Sequence, residues 1–190
     1  AHLRGIALHT GNRVSLSIHP APVNCGIVFQ RCDLPGQPQV AASIHNVVAT
    51  QRGTTIADGD ATVHTVEHLL ATFNAYGIDN ALVEMTGPEP PVGDGSSSPF
   101  VAMVEQAGVL AQDGPREFIT VSDPIFYEAG DTKLVVVPSD RFRVSCTVKY
   151  NSTPLDCQYQ SLEITRDSFV RELSQARTFC LYHEIEALIK

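Results

Sequence analysis

The stretch V-H-T-V-E-H-L-L-A-T-F-N-A-Y-G (residues 63–77) decides the fold, because the spacing of apolar residues changes there. Val63, Val66, Leu70 and Phe73 recur every three or four residues, Leu69 widens the stripe, and Gly77 ends it. That period predicts an amphipathic helix of about three turns, with Asp60 or Thr62 as its N-cap. Upstream, the period is two. "HLRGIALHT" (2–10), "RVSLSIHP" (13–20) and "GIVFQRC" (26–32) read as strands separated by turn signals. "CDLPGQPQ" (32–39) is a Pro/Gly loop, and "VAASIHNVVAT" (40–50) with "GTTIADGDAT" (53–62) predicts a further ribbon.

Downstream of the helix, "DNALVEM" (79–85) predicts a buried strand, and "GPEPPVGDGSSSPF" (87–100) a long turn-rich loop. Ser98 before Pro99 starts a second helix through about Ala107. Gly, Pro and charge in "AQDGPRE" (111–117) interrupt the apolar pattern and mark a boundary. Strands resume in "EFITVSD" (117–123), "PIFYEA" (124–129), "TKLVVVPS" (132–139), "FRVSCTVKY" (142–150) and "YQSLEIT" (159–165). Asp167 then caps a helix carrying Phe169, Val170 and Leu173, and "HEIEALIK" (183–190) opens another helical pattern. The expectation is an α+β protein of two similar layered sheet-and-helix domains, a duplicated unit. The first covers 1–113 with a β-ribbon insert near 37–60; the second, 114–190, is incomplete, so Phe169, Val170 and Leu173 should lose part of their cover.

Composition narrows the function. The 190 residues are 43% hydrophobic and 18% charged, as a globular chain with a real core should be. No apolar run approaches the roughly 18 residues of a membrane span, so no stable membrane insertion is expected. The net charge of −8, with no Lys/Arg cluster, argues against nucleic acid as a partner. Five widely spaced cysteines without a C-x-x-C pair suit free thiols in a reducing compartment, the cytoplasm.

His64, Glu67 and His68 spell H-x-x-E-H. On one helix, His64 and His68 would share a face and ligate zinc while Glu67 polarises a bound water, as in inverted zinc proteases. A solvated polar face fits the same five residues. A third reading keeps Glu67 and His68 and takes the other ligands from a distant segment.

Four stretches in one order separate these readings: "GIALHTG" (5–11), "TVEHLLA" (65–71), "EPPVGDGSSSPF" (89–100) and "ARTFCLYHEIE" (176–186). Together they resemble the UDP-3-O-acyl-N-acetylglucosamine deacetylases, zinc amidases of bacterial lipid A synthesis, over essentially the whole chain. The resemblance implies Glu67 as general base, His68 as a Zn²⁺ ligand and Thr178 as a donor to the developing oxyanion. It places Phe179, Leu8 and His9 at the substrate site; Asp94 is a further candidate to reach the cleft, because the Gly/Pro dipeptides around it constrain the loop. It leaves His64 structural. The family's other two zinc ligands, in an H-x-x-x-D motif, its catalytic histidine and its second insert are not among these residues. The resemblance therefore implies the N-terminal part of an enzyme that removes the acetyl group of a UDP-linked acylated amino sugar. The 190 residues alone are expected to be inactive and to need the C-terminal segment. The Gly/Ser loop faintly resembles that of galactokinase-type kinases, but no lysine or magnesium-binding carboxylate accompanies it, so its serines read as structural. His2, His19, His45 and His183 read as surface or strand-end residues.

Overall fold

A computed structural model describes residues 1–150 and 155–181. The helical pattern and His183 expected in 183–190 lie outside them. The strands are β1 (His2–Ile6), β2 (Arg13–Pro20), β3 (Ile27–Arg31), β4 (Gln39–Ala41), β5 (Val47–Ala49), β6 (Thr55–Asp58), β7 (Ala61–Val63) and β8 (Ala81–Met85), with helix α1 (Glu67–Ala75) between β7 and β8. Helix α2 (Ser98–Ala107) follows. Five strands form one sheet in the order β1-β2-β8-β3-β4, in which β3 and β8 are parallel and the other neighbours antiparallel. The ribbon β5-β6-β7 is a separate sheet, and Gln39–Ala41 belongs to the main one.

Alternation sets the inner face. Val14 and Leu16 of β2, with Val83 and Met85 of β8, point inward beside Phe29 of β3. Leu69 and Phe73 of α1, Phe100 and Val104 of α2, and Ile56 and Val63 of the ribbon complete one contiguous core. Each such side chain, once fully buried, contributes about 1.5–3 kcal/mol relative to exposure.

Helix α1 is shorter than its apolar period predicts. Val63 is fully buried, as that period requires, but as a strand residue paired with Ile56. Thr65 has φ of 53°, which no helix continues through, so the helix begins at Glu67. Neither Asp60 nor Thr62 caps it: the N-cap is Val66, with no side-chain cap bond. Gly77 ends the helix as expected, at φ of 65°, with the Ile78 N–H donating to the Phe73 carbonyl. Helix α2 has Pro99 in its first turn, as predicted.

Residues 117–123 form no strand; Phe118 and Ile119 are exposed. Beyond them lie two antiparallel pairs, β9 (Ile125–Ala129) with β10 (Thr132–Val136), and β11 (Arg143–Lys149) with β12 (Cys157–Glu163). Both leave large apolar side chains in solvent, among them Phe126, Leu134, Val135, Val144 and Tyr159. The helix α3 (Arg166–Ser168) runs into a π-helical turn at Phe169–Leu173. Its cap is Thr165, in a capping box with Ser168, and Asp167 sits in the first turn instead. Phe169 is buried and Val170 and Leu173 half-buried, so the uncovered apolar surface lies on β9–β12 rather than on this helix. Arg166 fastens it to α2 by donating to Glu105 at 2.7 Å, a carboxylate that Tyr76 also bonds. All five cysteines are free.

Arg31 ties the main sheet to the ribbon. It is 6% exposed, donates to both Asp33 oxygens at 2.9 and 2.7 Å, and reaches the Thr62 carbonyl at 2.6 Å. Its hydrogen bonds hold the Asp33 carboxyl below the ordinary carboxylate value. Arg31→Met should lower the unfolding free energy by about 1–2 kcal/mol, by removing the charge-assisted bonds to the solvent-facing Asp33 and leaving the Thr62 carbonyl without its donor. Because the folded-state value is depressed, the pair's contribution is complete above pH of about 4 and is lost as pH falls through that lower value. Urea unfolding at a series of pH values should therefore show a shallower acid loss in Arg31→Met than in wild type; parallel losses would remove the pair as the cause.

Candidate functional site

The site lies where the end of β1, the ribbon and the start of α1 meet. Strand β1 runs into the Leu8–His9–Thr10 turn, and the loop after β8 lies against it through the Ala7–Pro91 bridge and the Val92 N–H to the Ile6 carbonyl at 2.9 Å. Gly5 allows this closeness, since a Cβ there would come within 3.0 Å of the Pro91 Cβ. Opposite, the ribbon brings residues 53–55 over the first turn of α1. The Thr54 N–H donates to Glu67 Oε2 at 2.9 Å.

Gly53 marks the point of convergence. A Cβ on it would meet Glu67 Oε1 at 3.3 Å, Thr65 Oγ1 at 3.3 Å and His9 Nε2 at 3.8 Å. A carboxylate and a hydroxyl from the start of α1 and an imidazole from the turn after β1 thus surround one bare backbone position. Beside it is a cavity of about 230 Å³ lined by His9, Thr10, Gly53, Thr55, His64 and Thr65, with Gln51 at its edge. A neighbouring crevice is lined by Leu8, His68, Glu89 and Phe100. Leu8, His9, Glu67 and His68, which the sequence singled out separately, therefore face one region.

His64 is placed differently from what the H-x-x-E-H reading requires. It precedes α1 on the far side of the positive-φ Thr65, so His64 and His68 do not share a helical face. Its Nδ1 lies 3.1 Å from the Thr55 hydroxyl, and its N–H donates to the Pro88 carbonyl at 2.8 Å. Thr65 itself is β-branched at a conformation that costs about 1–3 kcal/mol and must be held by its surroundings.

The Gly/Ser loop links His68 to Thr178. Ser97 donates to the His68 carbonyl at 3.3 Å, and the Thr178 N–H donates to the Gly95 carbonyl at 2.8 Å, two residues away along the same loop. Ser98 donates to the Ser174 carbonyl at 2.9 Å, so the serines serve as structural ties. Asp94 is exposed, and its Oδ1 accepts from the Ser96 hydroxyl at 2.7 Å and the Ser96 N–H at 3.1 Å. Those bonds, then the nearby Arg177 charge, hold its carboxyl below the ordinary value. Phe179 is exposed, tilted against Tyr150 with ring centroids 5.8 Å apart. His19 pairs with Glu84, and His2 with Ser17, away from this region.

A fully buried carboxylate escaped sequence reasoning. Glu89 is 0% exposed and accepts from the His9 N–H at 3.0 Å, the Thr10 N–H at 3.0 Å and the Thr65 hydroxyl at 2.8 Å. Its only sequence signal is a charge among prolines in "GPEPP". Burial raises its pKa, but the bonds from Thr10, Thr65 and His9 outweigh that and the net shift is downward.

For a metal, His68 offers one imidazole. Among the described residues no group of three His, Cys, Asp or Glu side chains could hold an ion. A catalytic zinc ordinarily takes three protein ligands, so these residues do not make such a site by themselves.

Known proteins share the pattern. The family described as UDP-3-O-acyl N-acetylglycosamine deacetylase matches residues 1–190. A bifunctional enzyme LpxC/FabZ of Chlorobaculum tepidum is 42% identical over 188 residues, 98% of this chain and 40% of its own length. UDP-3-O-acyl-N-acetylglucosamine deacetylases of Citrifermentans bemidjiense and Pseudomonas entomophila are 40% and 42% identical, over 99% and 98% of this chain and 62% of their own lengths. The chain thus spans less than two thirds of the relatives it matches. Matched from residue 1 to residue 190, the chain belongs to the UDP-3-O-acyl N-acetylglycosamine deacetylase family.

Proposed function

We propose that the full-length protein hydrolyses the N-acetyl group of UDP-3-O-acyl-N-acetylglucosamine, releasing acetate and the free amine, as a zinc-dependent step of lipid A biosynthesis. The observation that carries this reading is the convergence of Glu67 Oε1 and His9 Nε2 on Gly53, beside His68 and against an open cavity. A carboxylate in that position suits a general base: Oε2 is held by the Thr54 N–H, while Oε1 lies beside the Gly53 position. Zinc, when bound, would polarise the acetamide carbonyl; His68 is the ligand this chain contributes, and the remaining ligands are assigned to an H-x-x-x-D motif beyond residue 190. The Thr178 hydroxyl is assigned to the oxyanion, its backbone being tied to the loop that also holds His68. Leu8 and Phe179 are assigned to the substrate. We divide the protein into a first unit, 1–113, and a second beginning at 114. The exposed apolar faces of β9–β12 are consistent with a second unit that further chain completes.

In the full-length protein, His68→Ala should abolish stoichiometric zinc by metal analysis, while His64→Ala should leave zinc content unchanged. Equal metal loss from both would restore the protease reading. Glu67→Gln keeps shape and removes the base, so kcat should fall about 10²–10⁴-fold with zinc retained; unchanged turnover in a metal-replete sample would exclude Glu67. Thr178→Val should cost about 10²–10³-fold in kcat with little change in KM. A rise confined to KM would make the hydroxyl a substrate contact.

A further inference from the structure

We propose that Glu89 is a positioning residue: its carboxylate clamps the His9–Thr10 turn to Thr65 and so sets where His9 and Glu67 point. What the clamp is for rests on the deacetylase reading; that it exists does not. The carboxylate joins three segments far apart in sequence, the turn after β1, the connector before α1 and its own loop after β8. Each attachment adjoins a candidate site residue. His9 is held by its own N–H, and Thr65, at φ of 53°, lies two residues before Glu67 and three before His68. The Thr65 hydroxyl that donates to Glu89 also flanks Gly53, where Glu67 and His9 converge.

The donor set favours a carboxylate here. All three groups aimed at Glu89 are donors, and an ionised carboxylate is acceptor-only with room for several bonds. Glutamine has the same shape, but its NH₂ would face either the two backbone N–H groups or the Thr65 hydroxyl, which would then have to accept and turn its own proton elsewhere. A hydrophobic residue of similar size would take the acceptor away from all three donors. The shift of Glu89 below the ordinary carboxylate range agrees with an ionised acceptor. Packing alone gives no reason to bury a charge, since a buried carboxylate is costly unless its bonds are satisfied. Thr65 gives the reason: a strained backbone persists only where the surroundings over-determine it, and the clamp supplies one such constraint.

The test uses the full-length zinc-loaded protein with Glu89→Gln, Thr65→Val and Thr65→Ser. Readouts are zinc content, kcat and KM per folded molecule, and NMR resonances of the histidine rings. Glu89→Gln should keep its zinc and its KM while kcat falls about 10²-fold, the penalty for reacting groups displaced by about 1 Å. Thr65→Val should lose turnover in the same direction, and Thr65→Ser, which keeps the hydroxyl, should recover most of it. The His9 ring resonances should move in Glu89→Gln and Thr65→Val, while those of His19, paired with Glu84 on the sheet, stay put. Unchanged kcat in folded Glu89→Gln, or a loss appearing wholly in KM, would overturn the assignment. If Glu89→Gln does not fold, Thr65→Val decides in the same way. If the wild-type protein deacetylates nothing, the functional reading fails alone, and unmoved His9 resonances would be what overturns the clamp.

Discussion

Strands β3 and β8 lie side by side and parallel, and a parallel pair cannot be closed by a tight turn. After adding β4 at the edge beside β3, the chain between Ala41 and Asn80 must therefore leave the sheet and return from the other end. That excursion contains the ribbon and α1, and both pack on the same face because that is where Leu16, Phe29, Val83 and Met85 present their side chains. The site follows from this route. The ribbon returns over the helix it precedes, so Thr54 reaches Glu67, and Gly53 needs to be bare because three side chains meet around it. Arg31 reinforces the same geometry by tying the end of β3 to the last strand of the ribbon.

A second constraint works across the sheet. The loop after β8 brings Glu89 beneath the turn after β1, and the carboxylate, buried and ionised, gathers donors from both sides. Buried charges of this kind are stabilising only when each acceptor site is met. The geometry of His9, Thr65 and Glu67 is thus coupled: moving one donor weakens the satisfaction of the rest. The Gly/Ser loop extends the coupling to the C-terminal segment, through Ser97 to the His68 carbonyl and Gly95 to the Thr178 amide.

Much of this is legible in the sequence, and the failures have definite causes. Alternation in β2 and β8 and the glycine stop after α1 are local signals, and the structure follows them. The start of α1 is not legible in the same way, because Val63 and Val66 satisfy a helical period while Val63 sits in a strand; a buried residue is apolar in either setting. Thr65 interrupts the helix through a backbone conformation that a threonine gives no hint of, since glycine or asparagine is the usual marker. The expected strand at 117–123 has the right composition but finds no ladder partner among the described residues, and β-propensity is largely a statement about neighbours. At the site, residue types point to Glu67 and His68, and the resemblance adds His9. Glu89 and Gly53 escape such reasoning because their importance lies in which distant atoms approach them.

The two ends of the chain differ in how they meet solvent. The five-stranded sheet, the ribbon and two helices close around one core, and its large side chains are almost wholly buried. The pairs β9–β10 and β11–β12 have the same strand-forming residue types and the same regular ladders, yet Phe126, Leu134, Val144 and Tyr159 remain in solvent. Hydrogen-bonded ladders alone cannot make these hairpins stable, because an isolated two-stranded pair is marginal in water. What distinguishes α3 and its π turn is attachment: Phe169 is buried, Arg166 bridges to Glu105, and Ser174 accepts from Ser98. These ties run to α2 and the loop before it, which is why the segment carrying Thr178 is held even where the neighbouring hairpins are bare. Cover for the hairpins has to come from further apolar surface, and relatives of this family have more than a third of their own length outside the matched region in which to supply it. The placement of Thr178 beside the His68 loop therefore depends on bonds already satisfied within these residues, whereas the packing of β9–β12 does not.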